Sequence, residues 1–348
     1  MKKWLQLLII AAISVLVLAA CGGGDSSSSD AEEPEDAGDT EESADEEEAE
    51  GGEKFVIGAT QILEHPSLDA AYEGFQDAIA DAGLDVEFNY QNAQNDQNNV
   101  KTISDNFVAD NVDLIFANST PSALGALNAT NDIPILFTSV TDAVDAGLVD
   151  AMDKPGDNIT GVVDLHPESI ENTVEFIDKY FEGATVGLIY NAGEKNSVTQ
   201  IEAVKAAAEG TSLTISERTV ANSSEVQQAA TTLAGDVDVF YIITDNTVVS
   251  ALDSVVGVAN DQQIPLIVGE PDSLEKGGFA TFGIDYHTIG YRTGEMAVEV
   301  LKGEKTTAEI DVEYPPAMQL FINKEAAEAQ GVEWNDDWDN DAQFLGEE

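Results

Sequence analysis

Short apolar runs alternate with amphipathic stretches along most of this 348-residue chain. Phe55-Val56-Ile57-Gly58-Ala59 has the continuous apolar character of a buried strand. The spacing of Leu68, Ala71, Tyr72, Phe75, Ala78 and Ile79 then predicts a helix over 68–82. Further strands are expected over 86–90, 113–117 and 133–137, with a helix over 100–110 between the first two of these. A second series has strands over 186–190, 213–220, 237–243 and 265–268, alternating with helices over 198–209, 225–234 and 247–260. A further helix is expected over 289–301. Strands separated by helices build parallel sheets from βαβ units. Two such series predict an α/β chain with two Rossmann-like lobes.

An internal echo points the same way. Val112-Asp113-Leu114-Ile115-Phe116 matches Val237-Asp238-Val239-Phe240-Tyr241, and each run ends in small polar residues. Ser122-Ala123-Leu124 and Ser250-Ala251-Leu252 follow in the next helices, and Ile133-Pro134-Ile135-Leu136 pairs with Ile264-Pro265-Leu266-Ile267. The offset of about 125–131 residues is that of a whole lobe, not of a solenoid repeat.

Ligands of open parallel sheets sit beyond the carboxyl ends of the strands. In the first lobe those ends are Thr60-Gln61, Asn118-Ser119-Thr120 and Thr138-Ser139-Val140-Thr141. In the second they are Asn191 with Glu194 and Asn196, Thr244-Asp245-Asn246 and Gly269-Glu270, with Asp285-Tyr286 at a later crossing. The set is rich in hydroxyls and amides and holds a few acids. Its only basic residue is Lys195, and His65 is the imidazole nearby. Crossings near 158–163, 279–285 and 318–323 divide the chain into lobe 1 (53–160 with 283–310) and lobe 2 (161–282 with 311–348). Three crossings make a hinge that permits closure and limits sliding.

The start of the chain adds a location. Lys2 and Lys3 precede an apolar run from Trp4 to Ala20, interrupted only by Gln6 and Ser14, and Leu18-Ala19-Ala20-Cys21 closes it. A basic start, a short apolar stretch and small residues before a break are the parts of a secretory signal peptide. The tetrapeptide resembles the bacterial lipobox, so 1–21 is expected to be a lipoprotein signal with Cys21 as the acylated residue. Cys21 is the sole cysteine, which leaves no intrachain disulfide and no thiol for catalysis or metal binding. Residues 22–52 hold four consecutive serines and fourteen acids with no base between Asp25 and Glu50, the composition of an extended acidic linker.

Acidity continues beyond the linker. The whole chain has 67 acidic against 14 basic residues, a formal net charge of −53. That charge excludes nucleic acid and anionic lipid as partners and argues against a highly anionic ligand. Its acids are scattered over helix faces instead of standing at the spacing of a calcium loop, so adaptation to high external salt is favoured over polyvalent cation binding.

Several long motifs resemble a known family. They are Gly58-Ala59-Thr60-Gln61-Ile62-Leu63-Glu64-His65-Pro66-Ser67-Leu68-Asp69, Tyr90-Gln91-Asn92-Ala93-Gln94-Asn95-Asp96-Gln97, Lys154-Pro155-Gly156-Asp157-Asn158-Ile159-Thr160-Gly161-Val162 and Thr244-Asp245-Asn246-Thr247-Val248. Over about 54–334 the chain is similar to the TrpX-like ABC-transporter substrate-binding lipoproteins. The resemblance implies a type I periplasmic-binding-protein fold and, among ligands, aromatic amino acids such as tryptophan, tyrosine and phenylalanine. The excess acid and the long linker depart from the family pattern.

A zwitterionic amino acid needs donors for its carboxylate and an acceptor for its ammonium. Ser119, Thr120, Ser139 and Thr141 stand after two neighbouring strands, where hydroxyls and helix N-terminal amides converge on an anion. The broader family of amino-acid binding proteins implies the same use of such hydroxyls; helix capping is the alternative role. Asp245 is the candidate for the ammonium, or else the cap of its helix, and Asp285 is a second acceptor candidate. His65 is placed either against the ligand side chain or at the helix start, with Gln61 in the same loop. Asn191, Asn196 and Asn246 line the matching loops of the second lobe. Tyr190 and Tyr286 are candidates for stacking on a ring or for core positions. His166 and His287 have no metal-ligand spacing with His65, so neither a metal nor another cofactor is expected.

Three function classes follow. An extracytoplasmic receptor presenting its ligand to an ABC permease and ATPase, as a lipid-anchored monomer, accounts for anchor, linker, lobes and polar cleft together. A sensor for a membrane signalling receptor, or a receptor for a solute other than an amino acid, has the same body. An enzyme is disfavoured, because the cleft lacks a Ser-His-Asp set, a paired-His metal motif and a Gly-rich phosphate loop.

Overall fold

The computed structural model describes residues 54–345. The segments read as a signal peptide and an acidic linker, with Cys21 between them, lie outside the described residues. The first series is β1 (Lys54–Gln61), α1 (Pro66–Asp81), β2 (Asp85–Asn92), α2 (Gln97–Asp110), β3 (Leu114–Asn118), α3 (Thr120–Ala129), β4 (Ile135–Val140) and β5 (Ile159–Val163). The second is α4 (Ser169–Tyr180), β6 (Thr185–Tyr190), α5 (Lys195–Ala208), β7 (Thr214–Thr219), α6 (Val226–Leu233), β8 (Val239–Ile242), α7 (Asn246–Val249), α8 (Leu252–Gln262), β9 (Leu266–Val268), α9 (Pro271–Glu275) and β10 (Ala280–Gly283). Then come α10 (Tyr286–Leu301), β11 (Gln319–Ile322), α11 (Lys324–Ala329), α12 (Trp338–Asp341) and β12 (Gln343–Phe344).

Two sheets result. One has five strands in the order β2-β1-β3-β4-β5, and the other has seven in the order β12-β11-β10-β9-β8-β6-β7. Every pair is parallel except β10–β11. The sequence echo is a structural one: β3 and β8 each lie beside the first strand of their series, and the Ile-Pro strands β4 and β9 come next. Asp113 and Asp238 even share a task. The first accepts the Val56 amide at 2.7 Å and the second the Thr185 amide at 2.8 Å, each tying down the start of the neighbouring strand.

The central strands are buried on both faces, as parallel strands covered by helices must be. Phe107, Ile115 and Phe137 lie on one face of the first sheet, and Phe75, Phe116 and Met296 on the other. The second sheet is covered by Ile177, Leu188 and Tyr241 on one side and by Leu233, Phe240 and Leu252 on the other. Trp338 on the short α12 is 2% exposed and stacks 5.9 Å from Phe176, which fastens the C-terminal segment to the second sheet. Helices α1 and α10 pack at backbone distance: a Cβ on Gly290 would sit 1.9 Å from the Ala71 carbonyl oxygen, and one on Gly74 would sit 2.1 Å from that of His287.

Four features differ from the expectations above. The segment over 158–163 is not merely a connection: β5 pairs with β4 in the first sheet, and the chain leaves that sheet after Val163. Glu313 returns to the same edge, its amide donating to the Gly161 carbonyl and its carbonyl accepting from the Val163 amide. The helix expected over 247–260 is broken into α7 and α8, because the Ser250 hydroxyl donates to the Thr247 carbonyl at 2.7 Å and Ala251 departs from helical geometry. Helix α4 was not among the expected elements, although Ile170, Val174 and Ile177 carry a helical apolar spacing and are buried.

Candidate functional site

The carboxyl ends of the two sheets face one cavity of about 400 Å³, counting the part open to solvent. The first sheet and its helices supply His65, Ser67, Leu68, Thr120, Ser139 and Thr141. The second supplies Asn196, Thr244, Asp245, Asn246, Val249 and Glu270. Asp164 and Tyr286 come from the two crossings. Among the described residues no lysine or arginine lines this space.

Helix starts place the first-lobe groups. His65 is the N-cap of α1: Nδ1 accepts the Ser67 amide at 3.1 Å, so the ring proton sits on Nε2. Burial, followed by the Lys276 charge, pushes the imidazole down to about 4, so it is neutral near pH 7. Its Nε2, 3.8 Å from Glu270 Oε1, is then a neutral N–H facing a carboxylate, not one half of an ion pair. Thr120 opens α3, and its hydroxyl oxygen accepts the Thr141 amide at 3.4 Å. Thr141 in turn accepts from Gln200 Nε2 of α5 at 3.4 Å. Ser139, at φ 55° after the core of β4, is turned so that its buried hydroxyl has no partner among the described residues. The three hydroxyls Thr120, Ser139 and Thr141 thus keep their protons free to donate.

Buried carboxylates organise the second-lobe side. Glu194 accepts from the Asn246 and Thr247 amides at 3.2 and 3.1 Å, and from the Thr247 hydroxyl and Asn246 Nδ2 at 2.7 and 2.6 Å. Asp245 Oδ1 accepts the Val248 amide at 2.8 Å and Oδ2 the Asn191 amide at 2.6 Å. The two acids cap the short α7 and lock it to the loop after β6. Burial, with the Glu194 charge beside it, pushes Asp245 up to about 7. Asn196 donates to the Thr244 carbonyl at 3.2 Å, while its buried Oδ1 has no partner among the described residues. At the crossing, Asp164 Oδ2 accepts the Tyr286 hydroxyl at 3.0 Å, and Oδ1 is shut from solvent without a partner among the described residues. Burial pushes Asp164 up to about 6.

Of the site residues expected from sequence, the cavity collects His65, Thr120, Ser139, Thr141, Asn196, Asp245 and Asn246. Four lie off it, each held by a local bond. Gln61 donates to Asp69 and the Leu63 carbonyl at 2.7 and 2.8 Å and accepts from Asn118 at 3.0 Å, bracing the loop before α1. Ser119 caps α3 by accepting the Ser122 amide at 3.3 Å. Asn191 donates to the Thr247 hydroxyl at 3.0 Å. Asp285 caps α10 by accepting the Thr288 amide at 2.7 Å and borders a separate recess. Ser67, Leu68, Val249 and Asp164 were missed. Leu68 and Val249 sit inside the helices expected over 68–82 and 247–260, and Ser67 stands just before the first of these. Asp164 follows the segment over 158–163 expected as a crossing, and the apolar run Gly161-Val162-Val163 ending in an acid is the signal the sequence holds for it.

The two sides also touch directly. Ser67 of α1 reaches Glu270 and Asp272 at α9, Asn95 donates to the Thr247 hydroxyl at 2.9 Å, and Lys195 pairs with Asp145 at 2.7 Å. These contacts close the cavity over.

Residues 56–343 match the family described as ABC transporter substrate binding protein. The chain belongs to that family. It is 42% identical over 278 residues to the tyrosine-binding protein of Clostridioides difficile, covering 78% of this chain and 80% of the relative. The crystal structure of an ABC domain in complex with L-Trp from Streptococcus pneumonia is 34% identical, with a TM-score of 0.80 over 84% of this chain and 99% of that one. A ligand-free, open substrate-binding protein with adhesive properties from Clostridium difficile is 38% identical and covers the same shares, yet its TM-score is 0.63. The chain thus follows the ligand-bound relative more closely than the open one despite the lower identity, in keeping with the contacts across the cavity. The paired sheets are those of the type I periplasmic-binding-protein fold. Family members are substrate-binding transport proteins and not enzymes.

Proposed function

We propose that this substrate-binding protein receives an aromatic α-amino acid in the cavity between its sheets, outside the cytoplasm, and hands it to an ABC permease powered by its ATPase. The two sheets with their helices act as the lobes, and ligand stabilises the closed arrangement by bridging them. A lipid on Cys21, followed by the acidic linker, tethers a monomer to the membrane.

One observation carries the reading: three hydroxyls with unspent protons share one cavity with buried acceptor oxygens that lack partners among the described residues. A zwitterion supplies the missing counterpart to both kinds of group, its carboxylate to the hydroxyls and its ammonium to the acceptors. Leu68, Val249 and the Tyr286 ring offer apolar surface to the side chain. The tyrosine and tryptophan named for the relatives favour an aromatic one.

The test is a melting-temperature screen of the twenty amino acids on the purified full-length protein. Tyrosine, tryptophan or phenylalanine is expected to raise the midpoint, since a ligand that binds only the folded chain stabilises it. No shift with any amino acid would overturn the reading.

A further inference from the structure

We propose that the ligand's ammonium group is received by Asp164, with Asn196 Oδ1 as a supporting acceptor, and not by Asp245. The proposal rests on the amino-acid reading above and names the residue that sets its charge selectivity.

Asp245 has the strand-end position expected of an ammonium acceptor, but both its oxygens are committed. Oδ1 holds the Val248 amide and Oδ2 the Asn191 amide, at 2.8 and 2.6 Å. Drawing either towards a ligand would strip a buried amide of its partner at the start of α7, and a buried donor left unsatisfied costs more than one ordinary hydrogen bond returns.

Asp164 is the converse. Its Oδ2 is fixed by the Tyr286 hydroxyl at 3.0 Å, which holds the carboxylate plane, and its Oδ1 is buried and bonded to nothing among the described residues. A buried carboxylate oxygen without a partner is expensive unless something arrives to fill it. The groups around it decide the sign of what arrives. Tyr286 of α10 is a neutral phenol, pushed well above its ordinary range by burial and by Asp164. Glu270 at the start of α9 adds negative charge, as does Asp272 beyond it, and His65 at the start of α1 is neutral. A positively charged nitrogen that donates hydrogen bonds suits this corner, and a carboxylate does not. Asn196 lines the same cavity, and its Oδ1, without a partner among the described residues, offers the second acceptor such a nitrogen needs. Asp164 also stands where the chain leaves the first sheet. An ammonium docked there is gripped at the hinge, while the carboxylate reaches the hydroxyls of Thr120, Ser139 and Thr141.

Calorimetry with L-tyrosine and its des-amino analogue 3-(4-hydroxyphenyl)propanoate on full-length protein tests this. The wild type is expected to prefer tyrosine. Asp164→Asn is expected to weaken tyrosine about tenfold or more while leaving the analogue unchanged or tighter, so the preference collapses. Asp245→Asn, if folded, should retain the preference even where it weakens both ligands. An unchanged preference in Asp164→Asn, or its loss in Asp245→Asn alone, overturns the assignment and leaves the amino-acid reading intact. Failure of the wild type to bind tyrosine or any other amino acid overturns both. Circular dichroism of each variant separates lost selectivity from lost folding.

Discussion

The hydroxyl of Ser67 lies 2.7 Å from Oε2 of Glu270, a bond between residues 203 positions apart that joins the helix on one sheet to the loop leaving the other. Asp272 accepts from the same hydroxyl. The hydroxyl has a single proton and serves one carboxylate at a time, and burial raises Asp272 above its ordinary range. Ser67→Ala removes the bond and leaves both acids at the start of α9 without their partner on α1. The ligand-free variant is expected to populate the open arrangement more, seen as a larger radius of gyration in small-angle scattering, and to bind ligand about three- to tenfold more weakly. A radius unchanged from wild type in both states would remove Ser67 from the closing contacts.

Ser119 makes a separable prediction. Its side chain caps α3 while its neighbour Thr120 faces the cavity, and its φ of 117° is one that alanine tolerates poorly. Ser119→Ala should lower stability by about 0.5–2 kcal/mol in urea unfolding. Affinity should change little, whereas Thr120→Val and Ser139→Ala should each weaken binding with smaller effects on stability. The reverse pattern would place Ser119 on the ligand.

Buried acids set the pH dependence of stability. Burial pushes Asp164 up to about 6 and Asp245 up to about 7 in the folded chain, against roughly 4 for an unfolded aspartate. Between those values the folded chain holds protons that the unfolded chain has released. Stability from this pair therefore falls as pH rises from about 4 to about 7 and levels off above. The melting temperature is expected to be higher at pH 5.5 than at pH 8. Salt at pH 8 should raise it too, by screening the surface charge, while leaving the buried contribution in place. A midpoint that climbs steadily from pH 5.5 to pH 8 in high salt would contradict the burial of these two acids.

Much of this architecture is readable from the residues. The runs at Phe55, Val112, Val186 and Val237 became β1, β3, β6 and β8, because a strand buried on both faces has to be apolar throughout and little else produces so short a run. The hydroxyl cluster was readable as well, since Thr120, Ser139 and Thr141 follow strands whose carboxyl ends must face the cleft. Asp164 was not readable that way. It lies beyond an edge strand, and only the pairing of β5 with β4 turns it inward. Ser119 and Thr120 adjoin in sequence, and only the capping geometry of α3 decides which of them the cavity receives.

The tether is tested on the cell. With Cys21 acylated, the protein should sediment with membranes, and mass spectrometry of its N-terminal peptide should show a lipid on that residue. Cys21→Ser should release it to the soluble extracytoplasmic fraction. Equal membrane retention of both forms would contradict a lipid anchor.

The most direct measurement is titration calorimetry of L-tyrosine and L-tryptophan into the full-length protein at pH 7.5. The account predicts saturable binding of at least one of them with one ligand per chain, weakening as pH is lowered through about 6, where Asp164 takes up its proton. Absence of saturable heat from both, or binding of several ligands per chain, would contradict a single cavity built for an aromatic zwitterion.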